Sequence, residues 1–162
     1  MIQRIQTVFL AIVAILHICL FFVPFWVASN PIGAHISLDA AGVDGANLNT
    51  VKNLVLGYGA SAIKITIINI VIVFGALATI FMYNNRLMQI KFVRFLMLIV
   101  LILGVLMVMS AENVNSLLSG LRFDSSYSFG IAFPLISIIL LFMAAKRIRH
   151  DENLVRSADR LR

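Results

Sequence analysis

Charge is scarce in this sequence. Only 12% of its 162 residues are Asp, Glu, Lys or Arg, while 61% are hydrophobic. An ordinary soluble domain carries about twice that charged fraction, so there is too little polar surface here to cover a water-exposed globule. A soluble enzyme and a disordered chain are excluded on that ground. Cysteine is nearly absent: Cys19 stands alone, so no intrachain disulfide and no cysteine-based metal cluster can form. That excludes a secreted disulfide scaffold. The three histidines, His17, His35 and His150, fall in an apolar run, a loop and a terminal tail, and are not expected to meet on one metal. Paired-carboxylate, His-x-x-x-His, Gly-x-Ser-x-Gly and Gly-rich phosphate-loop motifs are missing as well. The chain reads as non-enzymatic, with no cofactor.

What is present is four long apolar runs, at about 7–27, 61–83, 92–111 and 129–145. A helix needs roughly 20 residues to cross a bilayer. The runs are continuous and not alternating in polarity, which points to helices and not barrel strands. The expected fold is an all-α integral membrane protein, a single domain built as a four-transmembrane-helix bundle. The first run is too long for a typical signal peptide, and Trp26 stands where a cleavage site wants a small residue. It is expected to be a retained anchor.

The net charge of +6 is an orientation signal and not a nucleic-acid footprint. Arg4 precedes the first run; Arg86 and Lys91 lie in the turn between the second and third (84–91), with Arg94 near the start of the third. Lys146, Arg147, Arg149, Arg156, Arg160 and Arg162 follow the fourth. The other side holds Lys52 and Arg122, with Lys64 near it. The positive-inside rule then places both termini and the middle turn in the cytoplasm.

Outside the membrane, the first loop (28–60) carries the turn formers Asn30-Pro31, Gly33, Gly42, Asp44-Gly45 and Gly57. Ala34 to Leu38 suits a short strand and Asp44-Gly45 a hairpin turn; an irregular loop is the alternative. The second loop (112–128) is expected to extend the third helix and then to turn through Gly120 and Asp124-Ser125-Ser126. In the cytoplasmic tail (146–162), Leu154, Val155, Ala158 and Leu161 fall on one helical stripe, with Arg156 and Arg160 on a polar face and Arg162 at the end. Such a helix suits either the anionic inner leaflet or a protein partner, and composition does not separate the two.

Polar residues within apolar runs are functional candidates by default. His17 and Asn69 are expected at nearly the same depth on antiparallel helices, with Thr66 one turn from Asn69. They read as an interhelical polar clamp; a proton relay or ligand contact is the alternative. Lys64 and Glu112 lie toward the outer interface and either pair or leave Lys64 to snorkel. Pro134, four residues after Gly130, is expected to bend or unwind the first turn of the fourth span.

The opening Met1-Ile2-Gln3-Arg4-Ile5-Gln6-Thr7-Val8, the Phe21-Phe22-Val23-Pro24-Phe25 run and the closing Asp151 to Arg162 segment resemble a family of uncharacterised four-span inner-membrane proteins of Bacteroidetes-type bacteria. The resemblance implies a bacterial inner-membrane location and supplies no activity. Four spans, a long first outer loop and Tyr127-Ser128-Phe129-Gly130-Ile131-Ala132-Phe133 entering the fourth span are also similar to claudin-like tetraspans, without their first-loop Trp and paired-Cys signature. That similarity implies strands in the first loop. The function expected is an accessory or scaffolding subunit on a larger inner-membrane complex, its partners being lipid and a protein met through the tail. A small transporter or channel built on His17 and Asn69 is the alternative, and a lipid-directed enzyme using Glu112 ranks after it.

Overall fold

The computed structural model describes residues 5–31, 35–45, 52–82, 85–118 and 123–160, without the side chains of 52–61, 155–156 and 158–160. Among the described residues, four helices and a small sheet make up the fold: α1 (Ile5–Cys19), β1 (Trp26–Ser29), β2 (His35–Leu38), β3 (Val43–Gly45), α2 (Lys52–Phe81), α3 (Arg86–Leu118), β4 (Asp124–Tyr127), a 3-10 turn (Phe129–Ile131) and α4 (Ala132–Arg160). Among the described residues three stretches, Ala62–Phe81, Arg86–Leu118 and Phe129–Leu154, are long and apolar enough to cross a membrane, and only 28% of the most apolar window in each is buried within the protein. The rest of that apolar surface points outward, as in Phe74, Phe95, Leu101 and Phe142. A lipid environment, not water, matches such an exterior.

α1 packs against α2 and α4, and α3 against the same two. Every helix buries residues in alternating steps of three and four, the spacing that keeps one seam facing its neighbours. Four close approaches fix the register: the His17–Asn69 hydrogen bond between α1 and α2, Leu96 against Gly75 between α3 and α2, Pro134 against Gly104 between α4 and α3, and the Gly130 N–H on Pro24 O at the head of α4. Counting from them, the buried residues fall into layers of four. Farthest from the sheet are Gln6, Thr79, Val93 and Ile148, followed by Leu10, Ala76, Leu96 and Ala144. Next come Val13, Ile72, Val100 and Leu141, then His17, Asn69, Leu103 and Ser137, then Leu20, Ile65, Met107 and Pro134. At about 1.5 Å per residue these layers are roughly 5 Å apart.

The first apolar run is not a single helix over 7–27. α1 stops at Cys19 and the chain passes through a turn before Trp26 and Val27 enter β1. Pro24 accounts for the break, because it has no N–H to donate and disfavours a helical residue before it. The last helical bonds are Leu20 N–H to Leu16 O and Val23 N–H to Cys19 O.

The strand expected over Ala34 to Leu38 is β2, and it belongs to an antiparallel sheet of order β3-β2-β1-β4. Two features differ from expectation. The hairpin turn lies at Asp39–Gly42 and not at Asp44-Gly45: Asp39 Oδ1 accepts the N–H groups of Ala41 (2.8 Å) and Gly42 (2.7 Å), and Gly42 takes φ +155, which only glycine adopts easily. Asp124 to Ser126, expected to turn, are in β4 and pair with Ser29 to Val27 of β1. The pleat places Trp26, Ala28, Ile36 and Leu38 on the bundle and leaves the alternate positions outward. Phe25 N–H on Leu38 O, Ser128 N–H on Phe25 O and Ala40 N–H on Leu20 O fasten the sheet to the helices.

α3 starts at an Asn85 cap, whose Oδ1 accepts Met88 N–H (3.4 Å). α4 continues without a break from the fourth apolar run into the tail as far as Arg160. The fourth apolar run opens not as α-helix but as the 3-10 turn Phe129–Ile131, and Pro134 lies in the first turn of α4, where its missing N–H has no partner to lose.

Candidate functional site

The fourth layer holds the most distinctive chemistry. His17 and Asn69 are both fully buried and bond twice: His17 Nδ1 to Asn69 Oδ1 at 2.8 Å, and Asn69 Nδ2 to the His17 carbonyl at 2.8 Å. The early end of α1 explains the second bond. A helix leaves its last carbonyls unsatisfied, and the Phe21 N–H turns to Ile18 O instead of His17 O. Asn69, on another helix, caps that carbonyl. With Nδ2 committed there, Asn69 must offer oxygen to the imidazole, so Nδ1 carries the proton and Nε2 is the acceptor. His17 Nε2 has no partner among the described residues.

Thr66, grouped with this pair on sequence grounds, does not join it. Its single hydroxyl proton is shared between Ala40 O (2.6 Å) and Ala62 O (2.9 Å), so it ties α2 to the turn between β2 and β3. Ser137 is the residue that sequence reasoning missed. It is fully buried in the same layer, and its Oγ is likewise without a partner among the described residues. A second polar group closes the far end of the core, where Gln89 Nε2 donates to Thr79 O (3.0 Å) and Thr79 to Gly75 O (2.6 Å).

On the sheet side, the inward face of β4 meets the end of α3. Tyr127 O–H donates to Glu112 Oε1 at 3.0 Å and Ser125 O–H to Asn115 Oδ1 at 2.9 Å. Residues two apart on a strand thus match residues three apart on a helix. Glu112 is engaged by Tyr127, while Lys64 is exposed on α2. Partial desolvation, then the hydrogen bond to Glu112 and its negative charge, push the Tyr127 hydroxyl above the usual tyrosine range. Glu112→Gln is expected to lower it only part of the way, because desolvation is the larger cause; spectrophotometric titration of wild type and variant checks this.

The outward face forms a polar hollow of about 130 Å³ that includes Ser29, His35, Ser37, Asp124 and Ser126. The register places Ser29 between His35 and Asp124. With strands about 4.8 Å apart, the backbones of His35 and Asp124 stand roughly 10 Å apart. Among the described residues no three His, Cys, Asp or Glu side chains converge for a metal. Between α3 and α4 a groove of about 430 Å³ is lined only by apolar residues, Gly104 and Pro134 among them, which suits hydrocarbon.

The tail stripe is described in part. Leu154 is exposed, the backbone is helical to Arg160, and Arg86 Nη1 donates to Asp151 O at 3.0 Å. The side chains of Val155, Arg156, Ala158 and Arg160, and all of Leu161 and Arg162, lie outside the described residues.

The profile of a family described as Domain of unknown function (DUF4293) matches residues 2–161. The chain belongs to that family. The match takes in all four helices and the sheet, so the layered core and its polar layer lie wholly within the family's domain. No curated protein matches the chain.

Proposed function

We propose that this protein is a non-enzymatic four-span subunit of a bacterial inner membrane, with both termini in the cytoplasm, which serves as an accessory or scaffold on a larger membrane complex. α1 completes the fourth span: its buried seam keeps pace with that of α4 from Gln6 against Ile148 to Leu20 against Pro134. The basic residues gather at the end of the bundle away from the sheet, which favours a cytoplasmic position for that end.

The observation that carries the reading is the unbroken course of α4. Its 29 residues, at about 1.5 Å each, exceed the roughly 30 Å of a hydrocarbon core. A helix lying on the inner leaflet needs a turn where it leaves the membrane, and α4 runs from Ala132 to Arg160 as one uninterrupted helix. It stands out as a post, braced by the Arg86–Asp151 contact, and such a post meets a protein more readily than a lipid surface. The polar layer favours a structural part in this reading over a transport path. Apolar layers, Leu20 with Ile65 on one side and Val13 with Ile72 on the other, bracket His17 and Asn69.

Deleting residues 151–162 is expected to leave the protein folded and membrane-inserted but to abolish its co-purification, in constant ratio, with the partner complex from gently solubilised membranes. Unchanged recovery of that complex by the truncated protein defeats the proposal.

A further inference from the structure

Two fully buried polar side chains on neighbouring helices, His17 through Nε2 and Ser137 through Oγ, have an atom with no partner among the described residues. Thr66 and Thr79 show the default for a hydroxyl in these helices, which is to donate to the carbonyl four residues back. Ser137 Oγ makes no such bond, although Phe133 lies four residues before it in the same helix. Its hydroxyl is therefore turned away from its own backbone.

The geometry of the imidazole says where the other atom looks. Nδ1 and Nε2 lie on different edges of the ring, and Nδ1 is held on Asn69 of α2, so Nε2 faces away from α2. The other neighbour of α1 is α4. Stepping back seven residues from Pro24 reaches His17, and stepping on seven from its bonded partner Gly130 reaches Ser137. The same mirror relation pairs Val13 with Leu141, Leu10 with Ala144 and Gln6 with Ile148, all of them buried. An acceptor and a hydroxyl thus share one layer, do not bond directly, and are sealed by apolar layers on both sides. Leaving either unpaired at such depth is costly, and a polar site between two such groups is where proteins keep internal water.

We propose that His17 Nε2 and Ser137 Oγ together bind one water molecule inside the bundle. One water O–H donates to Nε2 and the water oxygen accepts the Ser137 hydroxyl proton. Asn69, His17, the water and Ser137 then form a hydrogen-bonded chain that links α2, α1 and α4 across one layer.

The test is nitrogen and water-contact NMR on the full-length protein in phospholipid bicelles. In the wild type, His17 Nδ1 is expected protonated, Nε2 unprotonated with the shift of a hydrogen-bonded acceptor, and the ring protons cross-peaked to a long-lived water. Ser137→Ala should remove the water cross-peak and move Nε2 to a free-acceptor shift. Persistence of the Nδ1–Asn69 bond in that variant shows that it is folded, and Ser137→Thr should restore the water. A protonated Nε2 in neutral wild type, a missing water cross-peak there, or a cross-peak of wild-type intensity in Ser137→Ala overturns the proposal.

Discussion

Asn69→Leu is expected to destabilise the protein by about 1–3 kcal/mol, the usual cost of stranding a buried polar group. Leucine shares the branched shape of asparagine and is larger, so none of the loss comes from a cavity. What is lost is the acceptor of the His17 Nδ1 proton and the donor to the His17 carbonyl, both 2.8 Å contacts. Interhelical hydrogen bonds in membranes are worth about 0.6 kcal/mol on average, but here the bond also caps the end of α1, so the upper part of the range is expected. His17→Phe added to Asn69→Leu should recover part of the loss, because it removes the stranded N–H while the open carbonyl remains. Unfolding of the detergent-solubilised protein by denaturant or heat reads both changes; additive effects in the double variant contradict the clamp.

Gly130→Ala is expected to be comparably severe and to act on the other end of the fold. A Cβ at this position would stand 2.7 Å from Pro24 O and 2.9 Å from Val23 O. Both are backbone atoms in the turn that joins α1 to the sheet, and Gly130 N–H already bonds Pro24 O. The turn and the head of α4 must separate, at a cost of about 1–3 kcal/mol or more for overpacking. Two other glycines serve as controls. At Gly75 the clash, also 2.7 Å, is with Leu96 Cδ2, the end of a flexible side chain, so alanine there should cost less. At Gly104 the nearest atom is Pro134 Cβ at 3.6 Å, ordinary contact, and alanine should be near neutral. Melting temperatures of the three variants give the ranking.

His17 and Asn69 were legible as partners because depth along a helix follows from counting residues. Their second bond was not, since it depends on where α1 ends. That end was hidden by composition: Leu20 to Val27 continue the apolar run, yet Pro24 breaks the helix and Trp26 packs as a strand residue against the bundle. β2 could be read from its own residues. β4 could not, because Asp124, Ser125 and Ser126 have turn propensity, and only pairing with β1 and the bonds to Glu112 and Asn115 make them a strand. Thr66 was misassigned for a related reason, its hydroxyl being drawn to the turn between β2 and β3. Ser137 carried no signal beyond being a serine in an apolar run, where back-bonding to the helix is the common outcome. A periodic stripe revealed a helix in the tail, but that stripe says nothing of whether the helix is separate from α4 or continuous with it.

The projection of α4 is tested most directly by a photoactivatable crosslinker placed at Leu154, which is exposed, with Phe142, on the exposed apolar face of the same helix, as the lipid-facing reference. Irradiation of intact cells is expected to give a single protein adduct of defined mass from Leu154 and lipid adducts from Phe142. Lipid adducts alone from Leu154 would place the end of α4 on the membrane surface and contradict the account.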